Sequence, residues 1–194
     1  MPVRNVKGDR STVTMNRIVL SLSAALVLTQ SANAQDLALA GGSDAAAIDA
    51  LYAEGERAYQ RGAYDEAIAL FTKVLDQDAG HLNAYLQRGF CHSLTRRYEL
   101  AVADFSAVIA RKPDHLWAYT SRGSAYNKLQ RYDKAMLDFD HVITLDPRNE
   151  EAFNNRGWAR KGSGDPAGAC KDWRTSQRMG NAEARIILTN NRCK

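Results

Sequence analysis

The sequence predicts an all-α fold, a right-handed superhelix of four stacked helix-turn-helix units closed by a further helix at the C terminus. Two observations carry this prediction. The motif Tyr-x-x-Arg-Gly begins at Tyr85 and again at Tyr119, and a version with Phe in place of Tyr begins at Phe153, always 34 residues apart. Small and aromatic residues recur at the same spacing. A fixed period of this length is typical of stacked helical repeats.

The period defines the units 48–81, 82–115, 116–149 and 150–181, and we count positions within each unit from its first residue. Position 8 is Gly and position 20 is Ala in every unit, while position 24 is Phe or Trp. Gly inside a helix costs about 1 kcal/mol relative to Ala, so its recurrence needs a packing reason. We expect the two helices of a unit to approach closely at these positions, and Pro113 and Pro147 to end second helices.

This set of offsets resembles the tetratricopeptide repeat (TPR) family, over about three quarters of the chain. The resemblance implies two antiparallel helices in each unit. A single unit cannot bury its apolar face alone, so neighbouring units stack, and four units are enough for a stable array.

Wherever position 7 is Arg, position 23 is Asp, and the first unit lacks both because it has Glu54 and Leu70. In an antiparallel helix pair whose Gly and Ala positions meet, positions 7 and 23 lie at about the same level. We therefore expect partly buried structural bridges between the paired helices, formed by Arg88 with Asp104, Arg122 with Asp138, and Arg156 with Asp172.

Residues 1–34 have the pattern of a secretory signal peptide. A basic start at Arg17 precedes an apolar run over 18–28, and Ala32-Asn33-Ala34 is a cleavage site that would leave Gln35 first. A run of eleven residues is too short for a membrane anchor, which needs about 20 apolar residues. Translation from Met1 and from Met15 both fit this pattern. We expect export, to a bacterial periplasm or to the medium, without membrane insertion after cleavage.

Cleavage would also change the charge. The first 34 residues hold four basic and one acidic side chains, so their removal lowers the net charge from +4 to +1. A mature chain this close to neutral does not predict nucleic-acid binding, which needs a clustered basic face. Residues 35–47 contain Gly41-Gly42-Ser43 and little periodicity, and we expect them to form a flexible lead-in.

The C-terminal residues 182–194 predict a capping helix and a tail. Gly180-Asn181 is a turn signal, and the apolar residues Ile186, Ile187 and Leu188 can cover the open end of the stack. If the chain reverses at this turn, the two helices pair antiparallel, and Cys170 and Cys193 lie at the same level along them. An exported chain meets an oxidising environment, so we expect a disulfide between them. Cys91 has no Cys-x-x-Cys partner, and a buried, unreactive thiol is its simplest interpretation.

No motif in the chain predicts catalysis, a cofactor or a metal site. The four histidines are scattered, and no His-x-x-x-His pair, nucleophile elbow or phosphate loop is present. We therefore expect a non-enzymatic protein whose partner is a protein or a peptide.

The resemblance implies that the first helices line a concave groove. Mapped onto this chain, the groove side chains are aromatics interleaved with amides: Tyr52, Tyr59, Leu86, Gln87, Phe90, Trp117, Asn127, Asn154, Asn155 and Trp158. Aromatics supply contact area, and Asn side chains can hydrogen-bond a peptide backbone. The alternative is that some of these aromatics, especially Trp117 and Trp158, pack between units.

Chaperone-binding members of the family use a carboxylate clamp of Lys, Arg and Asn. The equivalent positions here hold Tyr52, Glu56, Gln87, Trp117 and Ser121, so a clamp of that type is absent. The leading expectation is a periplasmic interaction module that binds its partner in the concave groove. The alternative is a structural subunit of an envelope assembly, acting by self-association or by docking through another face, and the sequence does not specify an oligomeric state.

Overall fold

A computed structural model describes residues 44–193. The signal peptide predicted over residues 1–34 and the lead-in up to residue 43 lie outside the described residues. Helix α1 occupies residues 44–60, so residues 44–47, assigned to the lead-in from sequence, are helical. Their run Ala45-Ala46-Ala47 has the highest intrinsic helix propensity, and it extends the helix ahead of the first unit.

Eight more helices follow in the described part of the chain, and short turns join them. They are α2 (Tyr64–Gln77), α3 (Leu82–Leu94), α4 (Tyr98–Arg111), α5 (Leu116–Lys128), α6 (Tyr132–Leu145), α7 (Glu150–Gly162), α8 (Pro166–Arg178) and α9 (Ala182–Asn190). The all-α prediction is confirmed, since the described residues contain helices and no strand. None of these helices has the length and apolar character needed to cross a bilayer.

Successive helices pack against each other from α2 to α9, which gives the stack of helix pairs that the period predicts. The first helices of neighbouring units also touch, α3 with α5 and α5 with α7. The second helices α4, α6 and α8 do not approach one another as closely. The first helices therefore lie on the inner, concave side of the stack.

The glycine at position 8 lies against the aromatic ring at position 24. A Cβ atom added to Gly89 would come within 2.7 Å of Cε1 of Phe105, and one added to Gly123 within 2.8 Å of Cε1 of Phe139. Both rings are completely buried. The absence of a side chain at position 8 is what lets the second helix place its ring directly on the first.

The turns between paired helices share one backbone feature. Position 15 is left-handed in every unit, with φ of 79° at Gly62, 60° at Arg96, 58° at Gln130 and 92° at Gly164. Glycine adopts this conformation without steric cost, whereas Arg and Gln adopt it only rarely. The repeat geometry therefore imposes the turn even where the local residue does not favour it.

The structure joins each position-7 Arg to the position-23 Asp of its own unit. Arg88 donates from Nε and Nη2 to the two carboxylate oxygens of Asp104, at 2.9 and 2.7 Å. Arg122 makes the same paired contact with Asp138. These are two-point ion pairs, and each Asp is 4% exposed.

The fourth unit repeats the contact and adds to it. Arg156 donates to both carboxylate oxygens of Asp172. Arg160 brings a second guanidinium to 2.9 Å from the same carboxylate, which is 3% exposed.

Each of these arginines also reaches back to the unit before it. Nη1 of Arg88 donates to Oγ1 of Thr72, and Nη1 of Arg122 donates to Oγ of Ser106. In the fourth unit the acceptor is a carboxylate oxygen of Asp140. The three acceptors occupy position 25 of the preceding unit, so each arginine ties three helices together.

The last helix, α9, is held by a disulfide between Cys170 and Cys193, whose Cα atoms lie 5.5 Å apart. Asn181 caps α9 by accepting hydrogen bonds from the backbone N–H groups of Glu183 and Ala184. Closing a loop of this size stabilises a fold by about 3 kcal/mol in the chain-entropy model. The covalent link therefore ties the segment after α9 to α8, and the described residues contain no helix beyond α9.

Replacing Asp138 by Asn should destabilise the fold by about 3 kcal/mol or more, because the change leaves the largely buried guanidinium of Arg122 without its counter-ion. The matched control is Glu66→Gln, which breaks an ion pair with Arg61 whose two side chains are about half exposed and should cost under about 1 kcal/mol. Urea denaturation followed by circular dichroism measures both. Equal, small losses of unfolding free energy in the two variants would contradict a structural role for the bridge.

A buried histidine adjoins the first of these bridges. His92 is 6% exposed, its Nδ1 has no hydrogen-bond partner, and its Nε2 lies 3.9 Å from Oδ2 of Asp104. Burial lowers the pKa of His92; Arg88 and Arg97 lower it further, while Asp104 and Asp65 oppose the shift. The folded chain therefore keeps this imidazole neutral at a pH where the unfolded chain protonates it.

Stability should fall as the pH drops below about 6.5, the ordinary pKa of His. The unfolded chain binds a proton at His92 more readily than the folded chain does, so protonation favours unfolding. The free energy of unfolding therefore decreases as the pH falls from about 6.5 to the lowered pKa of His92 in the folded chain. His92→Gln should lose less unfolding free energy than the wild type between pH 7.5 and pH 5. The comparison cancels the contributions of the other three histidines, which both chains share, and parallel pH profiles would show that His92 does not contribute.

Candidate functional site

The concave side carries two adjoining cavities, formed by the first helices of units two, three and four. They are adjacent because Ser124 and Lys128, on α5, line both. We call them the amide–lysine cavity and the aromatic cavity, after the side chains that dominate each.

The amide–lysine cavity lies between α5 and α7 and has a volume of about 450 Å³. Its lining residues are Ser124, Asn127, Lys128, Tyr132, Asn155, Trp158, Lys161 and Gly162. The described residues that line it include two lysines and no carboxylate. Its chemistry is therefore that of a cationic, hydrogen-bonding pocket with an aromatic wall.

The aromatic cavity lies between α3 and α5 and has a volume of about 320 Å³. Its wall is mainly apolar, with Phe90, Leu94, Tyr98 and Trp117 among the lining residues. Glu151, from α7, lines it as well. A wall of this composition suits an apolar side chain.

Five of the ten predicted groove residues line these cavities. Phe90 and Trp117 line the aromatic cavity, and Asn127, Asn155 and Trp158 line the amide–lysine cavity. The other five, Tyr52, Tyr59, Leu86, Gln87 and Asn154, line neither. The candidate site is therefore confined to units two to four and is narrower than the full row of first helices.

Asn154 lies in the interior, so its assignment to the groove surface is wrong. It is 8% exposed, and its side-chain oxygen is buried without a hydrogen-bond partner. Its backbone carbonyl accepts a 3.1 Å hydrogen bond from Nε1 of Trp173 on α8. The second helix of the unit packs tightly at this point, so the side chain at position 5 is enclosed; Thr120, the equivalent residue of unit three, is also 8% exposed.

Asn127 has a structural contact as well as a place in the cavity wall. Its Nδ2 donates a 3.1 Å hydrogen bond to the backbone oxygen of Asn155, which ties α5 to α7. Two of the residues that line the amide–lysine cavity are therefore hydrogen-bonded to each other, which holds its two helices together.

The groove tryptophans differ in how firmly they are held. Trp117 is 67% exposed. Trp158 is 41% exposed and packs edge-on against Trp173 of its own unit, with ring centroids 5.1 Å apart. Phe90 makes the same kind of contact with Phe105. Phe90 and Trp158 therefore each pack against an aromatic ring of their own unit, and Trp117 is the most accessible of the three.

Tyr52 and Tyr59 belong to the core of the first unit, where both pack against its buried residues. Burial, with help from Glu56, raises the pKa of Tyr52 to about 12. Burial likewise raises the pKa of Tyr59. Both phenols are therefore neutral at physiological pH and have mainly a packing role.

Sequence reasoning missed the tyrosines at position 17. Tyr98 and Tyr132, at the starts of second helices, line the aromatic and amide–lysine cavities respectively, although their recurrence indicates packing alone. Their place next to the turn carries them to the edge of the concave side. Their position beside the turn between paired helices, rather than their recurrence, is the signal that could have identified them.

Metal binding and thiol chemistry both find little support in the described part of the chain. No group of three His, Cys, Asp or Glu side chains there could hold a metal ion. Cys91 is completely buried, and burial raises the pKa of its thiol to about 11. Its reactive thiolate form is therefore scarce at neutral pH.

Comparison with known proteins identifies the repeat. Two family models described as tetratricopeptide repeat match the chain, one over residues 58–119 and the other over residues 116–149. No curated protein matches the chain significantly.

Several solved structures share the fold. A MamA structure from Desulfovibrio magneticus RS-1, spanning residue 41 to its end, is 24% identical, with a TM-score of 0.66, and the match covers 68% of this chain and 75% of that one. The Arabidopsis OM64 TPR domain is also 24% identical, with a TM-score of 0.56, covering 59% of this chain and 95% of that one. At this level of identity the likeness shows the fold alone.

The first TPR of Spaghetti (RPAP3), solved with an HSP90 peptide of sequence SRMEEVD, is 30% identical to the chain. The match has a TM-score of 0.56 and covers 62% of this chain and 93% of that one.

Proposed function

Because the chain belongs to the tetratricopeptide repeat family, we propose that it is a non-enzymatic interaction module that binds a peptide or protein segment in its concave groove. The observation that carries the proposal is the pair of adjoining cavities on the concave side, where Trp117 is 67% exposed. Exposed aromatics beside a concave surface usually mark a binding site.

The repeated polar residues support a binding role over a catalytic one. The position-7 arginines and position-23 aspartates bind each other inside the stack, where both partners are largely buried. They are therefore not free to act on a substrate. The side chains left at the surface of the groove are aromatics, amides and lysines, which recognise rather than transform a ligand.

One relative supports a peptide as the ligand, though not the same peptide. The RPAP3 repeat was solved with an HSP90 peptide bound. The clamp positions of this chain hold Tyr52, Glu56, Gln87, Trp117 and Ser121 instead of Lys, Arg and Asn. The partner of this groove is therefore a different sequence.

We further propose that the chain is exported and works in the periplasm. Two observations support this proposal. Residues 1–34 have the pattern of a signal peptide, and the Cys170–Cys193 disulfide agrees with the oxidising environment that an exported chain meets. Mass spectrometry of the chain recovered from its source cells should find Gln35 as the first residue. An intact N terminus on cytoplasmic protein would refute export.

Replacing Trp117 by Ala should reduce partner capture at least tenfold, because a groove tryptophan of this kind is a typical binding hot spot. The purified chain is crosslinked in envelope extract, and the yield of its captured partner is compared between variants. Folding should be little affected, since the side chain is 67% exposed.

The matched control is Leu137→Ala, which removes an equally exposed apolar side chain (69%) from α6, a second helix. Capture by this variant should equal that of the wild type. If Trp117→Ala captures as well as the wild type, the concave groove is not the binding surface.

The exposure of Leu137 also favours a second candidate, docking of the convex side onto an envelope assembly. Leu137 is joined by Leu100, a half-exposed residue of α4, another second helix. Loss of capture in Leu137→Ala together with full capture in Trp117→Ala would establish this alternative.

A further inference from the structure

We propose that the groove selects an acidic peptide, with an apolar side chain in the aromatic cavity and a carboxylate beside Lys128 and Lys161. This inference rests on the proposed function and adds the chemistry of the ligand to it. The proposed carboxylate site is not the carboxylate clamp of the family. Lys128 is at position 13 of unit three and Lys161 at position 12 of unit four, and neither is a clamp position.

The first support is that the two lysines have no acidic partner. In residues 44–193 the ion pairs within 4.0 Å use arginine or histidine as the base, and neither Lys128 nor Lys161 takes part in one. By contrast, each arginine at position 7 has its charge balanced by the aspartate at position 23. The amide–lysine cavity thus presents two positive charges that its own wall does not balance.

The second support is that Lys161 is held in position. Its Nζ donates a hydrogen bond to Oδ1 of Asn191, the C-cap of α9, and lies 5.4 Å from the ring centroid of Trp158. Asn191 is in turn two residues from Cys193, whose disulfide anchors α9. A charge that is already positioned loses less conformational entropy when it binds an anion.

The third support is the continuity between the cavities. Lys128 and Ser124 belong to both walls, so one short extended segment can reach the aromatic cavity and the lysines together. Glu151 lines only the aromatic cavity. The charge along the groove is therefore asymmetric, and a ligand carboxylate is favoured in the amide–lysine cavity, near the C-terminal end of α7, rather than beside Glu151 at the start of that helix.

A peptide carboxylate fits this site better than a nucleic acid. The positive charge is limited to two lysines, whereas nucleic-acid binding uses an extended basic face that neutralises many phosphates. The apolar wall formed by Phe90, Leu94 and Trp117 has the character of a pocket for a peptide side chain.

The test uses a random heptapeptide library displayed on phage, selected on the purified chain. The wild type should enrich Asp or Glu a few residues from an apolar or aromatic residue. Lys128→Gln/Lys161→Gln should keep the apolar preference and lose the acidic one, and Trp117→Ala should weaken the apolar preference. Both lysines are exposed, so the double variant should fold normally, which circular dichroism checks.

A synthetic version of a selected acidic peptide should then bind the double lysine variant at least tenfold more weakly than the wild type. Glu151→Gln is the opposite control, since removing a negative charge from the groove should leave the affinity equal or raise it. Raising the salt concentration should weaken binding to the wild type more than to the double variant.

Three outcomes would overturn the inference. They are enrichment of apolar residues without acidic ones, an acidic preference that survives in the double lysine variant, and no enrichment of any sequence. None of them decides the proposed function, which depends on capture of a folded partner through Trp117.

Discussion

The structure depends on a three-way contact made by the arginine at position 7. Each guanidinium binds the aspartate of its own second helix by two hydrogen bonds, and it reaches position 25 of the preceding unit with its remaining nitrogen. Burying an ion pair is costly unless its hydrogen-bonding capacity is satisfied. Here the planar fork of arginine meets that condition with acceptors from two units, so the same residue closes a helix pair and fixes the pair to its neighbour.

This constraint separates the residues of the repeat units into two kinds. Those that repeat, such as Arg122 and Gly123, are committed to packing within and between units. Among those that change from unit to unit, several on the concave side of α3, α5 and α7 line the cavities. The recognition that we propose therefore depends on residues that the packing leaves free, among them Trp117, Lys128 and Lys161.

The end of the stack connects the stability of the fold to the candidate site. The capping helix α9 has no unit beyond it among the described residues, and the Cys170–Cys193 disulfide holds it in place of further packing. The same helix supplies Asn191, which positions Lys161 at the wall of the amide–lysine cavity. Reduction of the disulfide would therefore loosen one side of the candidate site as well as the end of the fold.

The sequence by itself determined the helix pairs, their number and their order, because a 34-residue period identifies equivalent positions and the small residues at positions 8 and 20 require close packing. It also showed which Arg and Asp vary together. Only the tertiary structure decided how much of each groove residue is exposed. Asn154 and Asn155 are neighbours in sequence, yet the first is enclosed beside Trp173 and the second lines a cavity. The third acceptor of each arginine, at Thr72, Ser106 or Asp140, was likewise invisible in sequence, because it belongs to another unit and differs in residue type. A period specifies equivalence along the chain, whereas exposure and contacts between units depend on the distance between helices after they stack.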